Sequence, residues 1–282
     1  MSNYRLQVEL DEDSIPEGAL GALFPVPPTT ADQEFMGMKL PPTWTTRTVS
    51  TQDGRQSAML ASFAPKDARS LVHMDIGLRP GPFVEAHFAP REGRNTVPGD
   101  DAVELFRSLD LDGIADERAR LRRIVDRISE KFVYKHSTGR TDAPLTCDLL
   151  TGNCLDINSA LMKLLRLANV KHAYYIGYFV EEGQSAAGRH CWVSTVSQGR
   201  YENWDIAHHL KRDVQRVEAG LNPIAGLRFA MSSGWDPVFD LDSMKVEMHH
   251  LATPRWIFPD GSTADCKVKA TVSQVTQPEA IA

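Results

Sequence analysis

The segment Thr151-Gly-Asn-Cys-Leu-Asp-Ile-Asn-Ser-Ala-Leu-Met-Lys-Leu-Leu-Arg-Leu-Ala168 places a cysteine directly after a turn and at the start of a helix. Apolar residues recur at helical spacing on one face, which predicts that this face packs into a core: Ile157, Leu161, Leu164, Leu165 and Ala168. Unpaired N–H groups and the positive end of the helix dipole favour a thiolate at such a position. Cys154 is therefore a candidate nucleophile with a lowered thiol pKa.

Strands are predicted after this helix. His172-Ala-Tyr-Tyr-Ile-Gly-Tyr-Phe179 is rich in aromatic residues, and two further strands carry His190-Cys-Trp-Val-Ser-Thr-Val196 and Tyr201-Glu-Asn-Trp-Asp-Ile206. Gln198-Gly199 has the composition of a tight turn between these last two strands. Together the three strands form an antiparallel meander. Because they follow helices along the chain, the predicted fold class is α+β.

The remainder of the chain divides into a helical and a β segment. Asp116 can cap a helix with an apolar face ending at Phe132. Residues 4–10 and 72–78 alternate between apolar and polar side chains, as half-buried strands do, and prolines between them prevent long helices. We therefore predict an N-terminal β-sandwich-like domain over residues 1–95 and a catalytic domain over residues 96–282.

A nucleophilic cysteine needs a base, and that base needs an acceptor that orients it. His190 lies on the first of the two later strands and Asp205 on the second, so they are predicted to be cross-strand neighbours. His190 would face the helix start, and Asp205 would hold the other nitrogen of its ring. A strand pair packed against the start of a helix is a sufficient frame for a Cys154–His190–Asp205 triad.

Composition excludes several classes of protein. A net charge of −6 disfavours binding to nucleic acid or anionic membrane, and no stretch of 18 apolar residues predicts a transmembrane helix. The N-terminus shows no apolar signal segment, and four cysteines in 282 residues do not require a disulfide framework. We expect a cytoplasmic protein.

Three motifs occur in an order typical of one family. Gly-Asn-Cys154-x-Asp before a helix, Gly-x-His190-Cys-Trp and Trp-Asp205-Ile resemble the transglutaminase-like superfamily of papain-fold enzymes, and more narrowly bacterial relatives described as cysteine proteases. Phe24-Pro-Val-Pro-Pro28 with the later Gln33 also resembles their N-terminal β domain. The resemblance implies that Cys154 is the nucleophile, His190 the general base and Asp205 the orienting carboxylate.

The resemblance also implies the reaction. It implies cysteine-dependent acyl transfer through a thioester, with hydrolysis of an amide or peptide bond as the family's usual outcome and an amide-forming transglutaminase-type acyltransferase as the alternative. The partners would be a peptide or small amide substrate, with an amine acceptor if the acyl group is transferred, and no metal or organic cofactor would be needed. Transglutaminases usually place a tryptophan ahead of the nucleophile as a donor to the oxyanion, but this chain has none between Trp44 and Trp192. Tyr134 is the nearest candidate donor, together with the backbone N–H of Cys154.

Other interpretations of these residues remain open. His208, His209, His249 and His250 could contribute to a metal site with Asp205, which would make the protein a metal-dependent enzyme. The fold could also be a non-catalytic binding module with an idle triad. Cys191 points to the opposite strand face from His190, so it is expected in the core, and Asp156 is expected to cap the helix together with Asn153.

Overall fold

The computed structural model describes residues 2–11, 15–62, 71–79, 85–88, 96–136, 143–214, 216–220, 222–242 and 244–276. Helices and a larger number of strands occur together within these ranges, which confirms the predicted α+β class. None of the helices in these ranges has the length and apolar character needed to cross a lipid bilayer.

The described strands and helices are numbered in chain order. The strands are β1 Ser2–Leu10, β2 Gly21–Val26, β3 Gln33–Lys39, β4 Thr45–Ser50, β5 Ser57–Ser62, β6 Leu71–Leu78, β7 Phe132–Tyr134, β8 Leu150–Gly152, β9 Lys171–Glu181, β10 Gly188–Ser197, β11 Arg200–Trp204, β12 Gly226–Ser233, β13 Val238–Leu241, β14 Met244–Glu247, β15 Arg255–Ile257, β16 Thr263–Asp265 and β17 Val268–Val275. The helices are α1 Asp100–Arg107, α2 Glu117–Lys131, α3 Cys154–Leu167 and α4 Ile206–Lys211, with one 3-10 turn at Glu85–Phe88.

The chain separates into two compact units that are not continuous in sequence. Unit 1 comprises Met1–Val84, Ile176–His190 and Gly226–Ala282, and unit 2 comprises Glu85–Tyr175 and Cys191–Ala225. The predicted boundary between residues 95 and 96 adjoins residues 89–95, which lie outside the described ranges. The division at that point stays a prediction.

Unit 1 is built mainly from two antiparallel sheets, with strand orders β17-β1-β6-β3 and β16-β15-β2-β5-β4. Apolar residues of both sheets belong to one buried core, including Leu6 on β1, Phe24 on β2 and Trp256 on β15. The C-terminal strand β17 pairs with β1 along its whole length, from Asn3 opposite Val275 to Leu10 opposite Val268. This pairing gives β1 hydrogen-bond partners on both sides, so strands that are far apart in sequence form one sheet.

Two glutamine side chains in unit 1 form hydrogen bonds with backbone groups of distant segments. The buried amide of Gln33 donates to the carbonyls of Pro28 and Ala230, while its oxygen accepts from the Ala230 N–H at 2.8 Å. Gln56 accepts in the same way from the N–H of Ser233 at 2.9 Å. Both side chains satisfy buried backbone groups that would otherwise lack a partner. The Gln33 that the family resemblance singles out is therefore a structural residue.

Unit 2 contains the helices and a hairpin. Asp116 caps α2 as predicted, because its side chain accepts from the N–H of Ala119. Both predicted apolar faces are buried, with Leu121 and Ile124 on α2 and Leu161 and Leu164 on α3 fully inaccessible to solvent. Strands β10 and β11 are joined through Gln198 and Gly199, which both have positive φ, as predicted for a tight hairpin turn.

Candidate active site

Cys154 is the first residue of α3, and side chains on either side of it fix the helix start. The Asn153 side chain accepts from the N–H groups of Leu155 and Asp156 at 2.8 and 3.3 Å. In return, the Asp156 carboxylate accepts from the Asn153 N–H at 2.9 Å. The predicted role of Asp156 as a capping partner is confirmed. The thiol is partly exposed, as a nucleophile must be.

The capping box can be tested on its own. Replacing Asn153 with alanine should lower the free energy of unfolding by about 1 kcal/mol, because two N–H groups at the start of α3 lose their acceptor. Asn153→Ser retains a good capping side chain and should cost clearly less. Chemical denaturation of both variants measures the difference, and equal losses would mean that the cap contributes little.

Gly152, two residues before Cys154, lies at a position where a side chain would clash with its neighbours. A Cβ atom at this position would lie 2.8 Å from the Cβ of Asp156 and 3.1 Å from the ring of Phe132. No side chain fits there without displacing the capping box. The short strands β7 and β8 pair in parallel at this point, and Tyr134 of β7 lies opposite Gly152 of β8.

Tyr134 lies close enough to the thiol for the two groups to influence each other electrostatically. Burial is the main cause that raises the pKa of its hydroxyl, and negative charge on nearby groups, first of all Cys154, raises it further. The phenol therefore keeps its proton at neutral pH and can donate a hydrogen bond. These properties match what a donor to a developing oxyanion requires.

Cys191 is buried, as expected, but it also contacts the nucleophile. Its thiol hydrogen-bonds the Cys154 side chain and accepts from the Asn158 amide at 3.2 Å. Burial, followed by this contact with Cys154, raises its pKa well above the usual range, so Cys191 keeps its proton at neutral pH and can donate it to a thiolate at Cys154. Alternation along β10 predicts that His190 faces Cys154 and that Cys191 therefore does not. The contact shows that this prediction is wrong for Cys191, because alternation does not reveal which residue of another element lies over each face.

Removing the Cys191 donor should destabilise a thiolate at Cys154. In Cys191→Ala we expect the apparent pKa of Cys154 to rise and its alkylation near pH 6 to slow by about tenfold, the loss of one hydrogen bond to a charged group. Cys191→Ser retains a donor and should lose less. The pH dependence of iodoacetamide labelling measures both, and Cys266→Ala is the matched control at another buried thiol. Identical rates in all three variants would exclude a role for the contact.

Asp205 directly follows β11 and caps α4. One carboxylate oxygen accepts from the His208 N–H at 3.2 Å, and the other accepts from the side-chain amide of Asn222 at 3.0 Å. The Nδ1 atom of His208 lies 3.4 Å from that second oxygen. The Asp205 side chain is fully buried. A network of donors thus holds a buried carboxylate in one orientation.

The register of the hairpin determines which residues of β10 approach Asp205. Val193 pairs with Trp204, so Trp192 stands across from the position that Asp205 occupies. Alternation places His190 on the same strand face as Trp192. His190 is 4% exposed, and the ring of Phe179 meets its imidazole edge to face, with centroids 5.9 Å apart. The partnership of His190 with Asp205 stays a prediction.

A comparison with family models agrees with the arrangement of α3 and the β10–β11 hairpin. Residues 109–206 match the family model described as the transglutaminase-like superfamily. This segment is a transglutaminase-like domain. It contains the capped helix, the hairpin and all four residues predicted for the site: Tyr134, Cys154, His190 and Asp205.

Two solved structures are similar to the whole chain or to most of it. One, from Cytophaga hutchinsonii and described as a “putative cysteine protease”, has a TM-score of 0.49 and 12% identity, covering 97% of this chain and 98% of its own. The other, a “putative protease” from Parabacteroides distasonis, has a TM-score of 0.32 and 12% identity, covering 77% of this chain and 49% of its own. The search of the curated proteins found no match.

The histidines considered for a metal site have different environments. In unit 2, buried His209 donates from Nδ1 to the Asp205 carbonyl at 2.8 Å and accepts at Nε2 from the Glu218 N–H at 3.3 Å. Backbone groups thus occupy both ring nitrogens of His209. In unit 1, exposed His249 contacts the Asp236 carboxylate at 3.1 Å. His208, beside Asp205, is the one of the four whose position suits metal ligation.

Asn222 is a residue of the site that sequence reasoning did not single out. Its amide reaches Asp205, and it also lies 2.9 to 3.1 Å from Nδ1 of His208. It stands in a loop 17 residues after Asp205, outside every motif used above. A single asparagine in a loop gives no periodic or spacing signal, so only the folded structure reveals it.

Proposed function

We propose that the chain is a cysteine-dependent hydrolase or acyltransferase that forms a thioester acyl-enzyme on Cys154. The observation that carries the proposal is a partly exposed thiol at the capped start of α3 within a transglutaminase-like domain. The Cys191 hydrogen bond and the helix dipole both favour the thiolate there. His190 and Asp205 are proposed as its base and orienting carboxylate.

The proposed reaction has two steps. The Cys154 sulfur attacks an amide carbonyl carbon, and the carbonyl electron pair moves to oxygen, where Tyr134 and the Cys154 N–H donate hydrogen bonds. The C–N bond then breaks as the His190 imidazolium gives its proton to the leaving amine. In the second step His190 takes a proton from water, which attacks the thioester, releases the acid and restores the thiolate.

Peptides or small amides are the proposed substrates, and hydrolysis is the proposed outcome. The alternative is amide formation, in which a primary amine replaces water in the second step. Four free cysteines support a reducing compartment such as the cytoplasm, and the net charge of −6 does not favour a polyanionic partner.

Intact-mass trapping tests the proposal. The protein is mixed with activated esters and with peptides containing amide side chains, then quenched in acid. We expect a mass increase equal to the acyl group, located on Cys154 by peptide mapping and absent in Cys154→Ala. Addition of methylamine distinguishes the two outcomes, because free acid alone indicates hydrolysis and the N-methylamide indicates transfer. Absence of any acyl adduct across the panel would favour the binding-module interpretation.

A metal-dependent reaction is a second candidate, favoured by the 3.4 Å separation of His208 Nδ1 and the Asp205 carboxylate. An imidazole nitrogen and a carboxylate oxygen are both suitable zinc ligands. Under the acyl-enzyme proposal, a chelator should leave the rate of adduct formation unchanged. Stoichiometric zinc or iron in the purified protein, lost together with activity on chelation, would support the metal-dependent reaction instead.

A further inference from the structure

Unit 1 contains a cavity that the proposed reaction does not use. Its volume is about 470 Å³, within the range typical of small-molecule sites. It opens between the middle of β9, the start of β10 and the turn that joins β16 to β17. The lining combines apolar side chains with a small number of polar ones, namely Tyr178, Arg189, Thr253, Asp265 and Lys267.

Tyr178 contributes its hydroxyl group, a hydrogen-bond donor, to the wall of this cavity. Its side chain is 2% exposed, and its hydroxyl has no hydrogen-bond partner among the residues that the structure describes. A buried hydroxyl without a partner destabilises the folded chain, so such groups usually meet another polar atom. Burial raises the pKa of this phenol, which therefore remains a donor. A ligand that accepts hydrogen bonds would satisfy it.

The charges at the cavity are predominantly positive. Arg189 and Lys267 line it, and within the described ranges neither side chain forms an ion pair. The acid that lines the cavity, Asp265, is already paired with Arg255 at 2.6 Å. His250 adds no charge at neutral pH, because burial and the charges of Arg255 and Arg189 lower its pKa to about 4. Among the residues that the structure describes, these two cationic side chains thus have no counter-charge.

We propose that this cavity binds a small ligand through a carboxylate group. The planar Arg189 guanidinium can donate two parallel hydrogen bonds to the carboxylate, and Lys267 supplies a second positive charge. The Tyr178 and Thr253 hydroxyls complete the polar wall, while Ala187, Val268 and Ala270 line the apolar part. The carboxylate could belong to a free organic acid or to an acidic residue of a peptide.

This cavity is separate from the residues proposed for the reaction, although Arg189 and His190 lie on the same strand. Arg189 immediately precedes His190 in β10, and alternation points their side chains to opposite faces. The cavity residues thus form a separate binding site on the other side of that strand. Binding there does not depend on a reactive Cys154.

Isothermal titration calorimetry of the full chain tests the proposal. We use Cys154→Ala so that no substrate is consumed, and titrate glutarate, its neutral analogue glutaramide, inorganic phosphate and a matched pair of acetylated tripeptides containing Glu or Gln. We expect glutarate or the Glu peptide to bind and the neutral partners not to bind. Binding of glutarate identifies a free acid as sufficient, whereas binding of the Glu peptide alone identifies a peptide ligand.

Three variants locate the binding. Arg189→Gln should weaken the affinity for the carboxylate by at least about tenfold, and Tyr178→Phe, which removes only the unpartnered hydroxyl, by a smaller factor without loss of thermal stability. Lys269→Gln is the charge-matched control, because Lys269 is exposed on β17 but does not line the cavity. Equal binding of glutaramide, tighter binding of phosphate, unchanged affinity in Arg189→Gln, or no binding of any carboxylate would overturn the proposal.

Discussion

Replacing Cys154 with alanine is expected to abolish both acyl-enzyme formation and selective alkylation near pH 6. An ordinary thiol with a pKa near about 8.5 is less than about 1% ionised at that pH, so a thiol that reacts there must have a lowered pKa. The capped start of α3 and the Cys191 donor both act in that direction at Cys154. In the wild-type chain we expect iodoacetamide to give one adduct first, at Cys154, and the variant to lose it.

The other cysteines provide internal controls for this experiment. Cys191 and Cys266 are buried, and burial raises the pKa of each thiol, so both should remain protonated and slow to react. Cys147 is exposed but does not stand at a helix start, so it tests whether accessibility alone is sufficient for reaction. His190→Ala should slow labelling of Cys154 if an imidazolium stabilises the thiolate. A first adduct on Cys147, or an unchanged rate in His190→Ala, would refute the proposed ion pair.

Replacing Asp205 with asparagine is expected to lower turnover by about 10⁴-fold while the fold persists. The loss follows because a neutral amide cannot stabilise the imidazolium or hold the required tautomer. The fold should persist because asparagine is as good a helix cap as aspartate, so the contact with the His208 N–H can remain. The Asn222 amide can rotate to present its oxygen to the new NH₂ group. Steady-state kinetics and thermal denaturation measure the two effects separately.

Glu202 provides the matched acid for this test. Glu202 lies on β11, is 7% exposed and forms an ion pair with Arg118 at 2.7 Å. It is therefore a buried acid whose charge is already paired with an arginine. Glu202→Gln should reduce stability through loss of that pair and leave turnover within a few-fold of wild type. If Asp205→Asn retained near-full turnover, the orienting role would have to be assigned elsewhere, with Glu202 and Asp213 as the next acids to examine.

Local patterns in the sequence were sufficient to predict most elements of the transglutaminase-like domain. The apolar faces of α2 and α3, the caps at Asp116 and Asn153, and the tight turn at Gln198 and Gly199 were predicted correctly. Each depends on interactions between residues at most four positions apart or on the period of one element. Such interactions are largely independent of the rest of the fold, so the sequence shows them directly.

Long-range contacts required the tertiary structure. The pairing of β1 with β17 joins residues more than 250 positions apart, and it places the C-terminal strand β17 in unit 1. The Cys191–Cys154 hydrogen bond, the Asn222–Asp205 hydrogen bond and the Arg189 cavity likewise bring together separate elements. A periodic pattern shows which face of a strand or helix is buried, but not which element covers that face. The sequence by itself therefore determined the elements and the candidate nucleophile, whereas packing determined the residues that surround it.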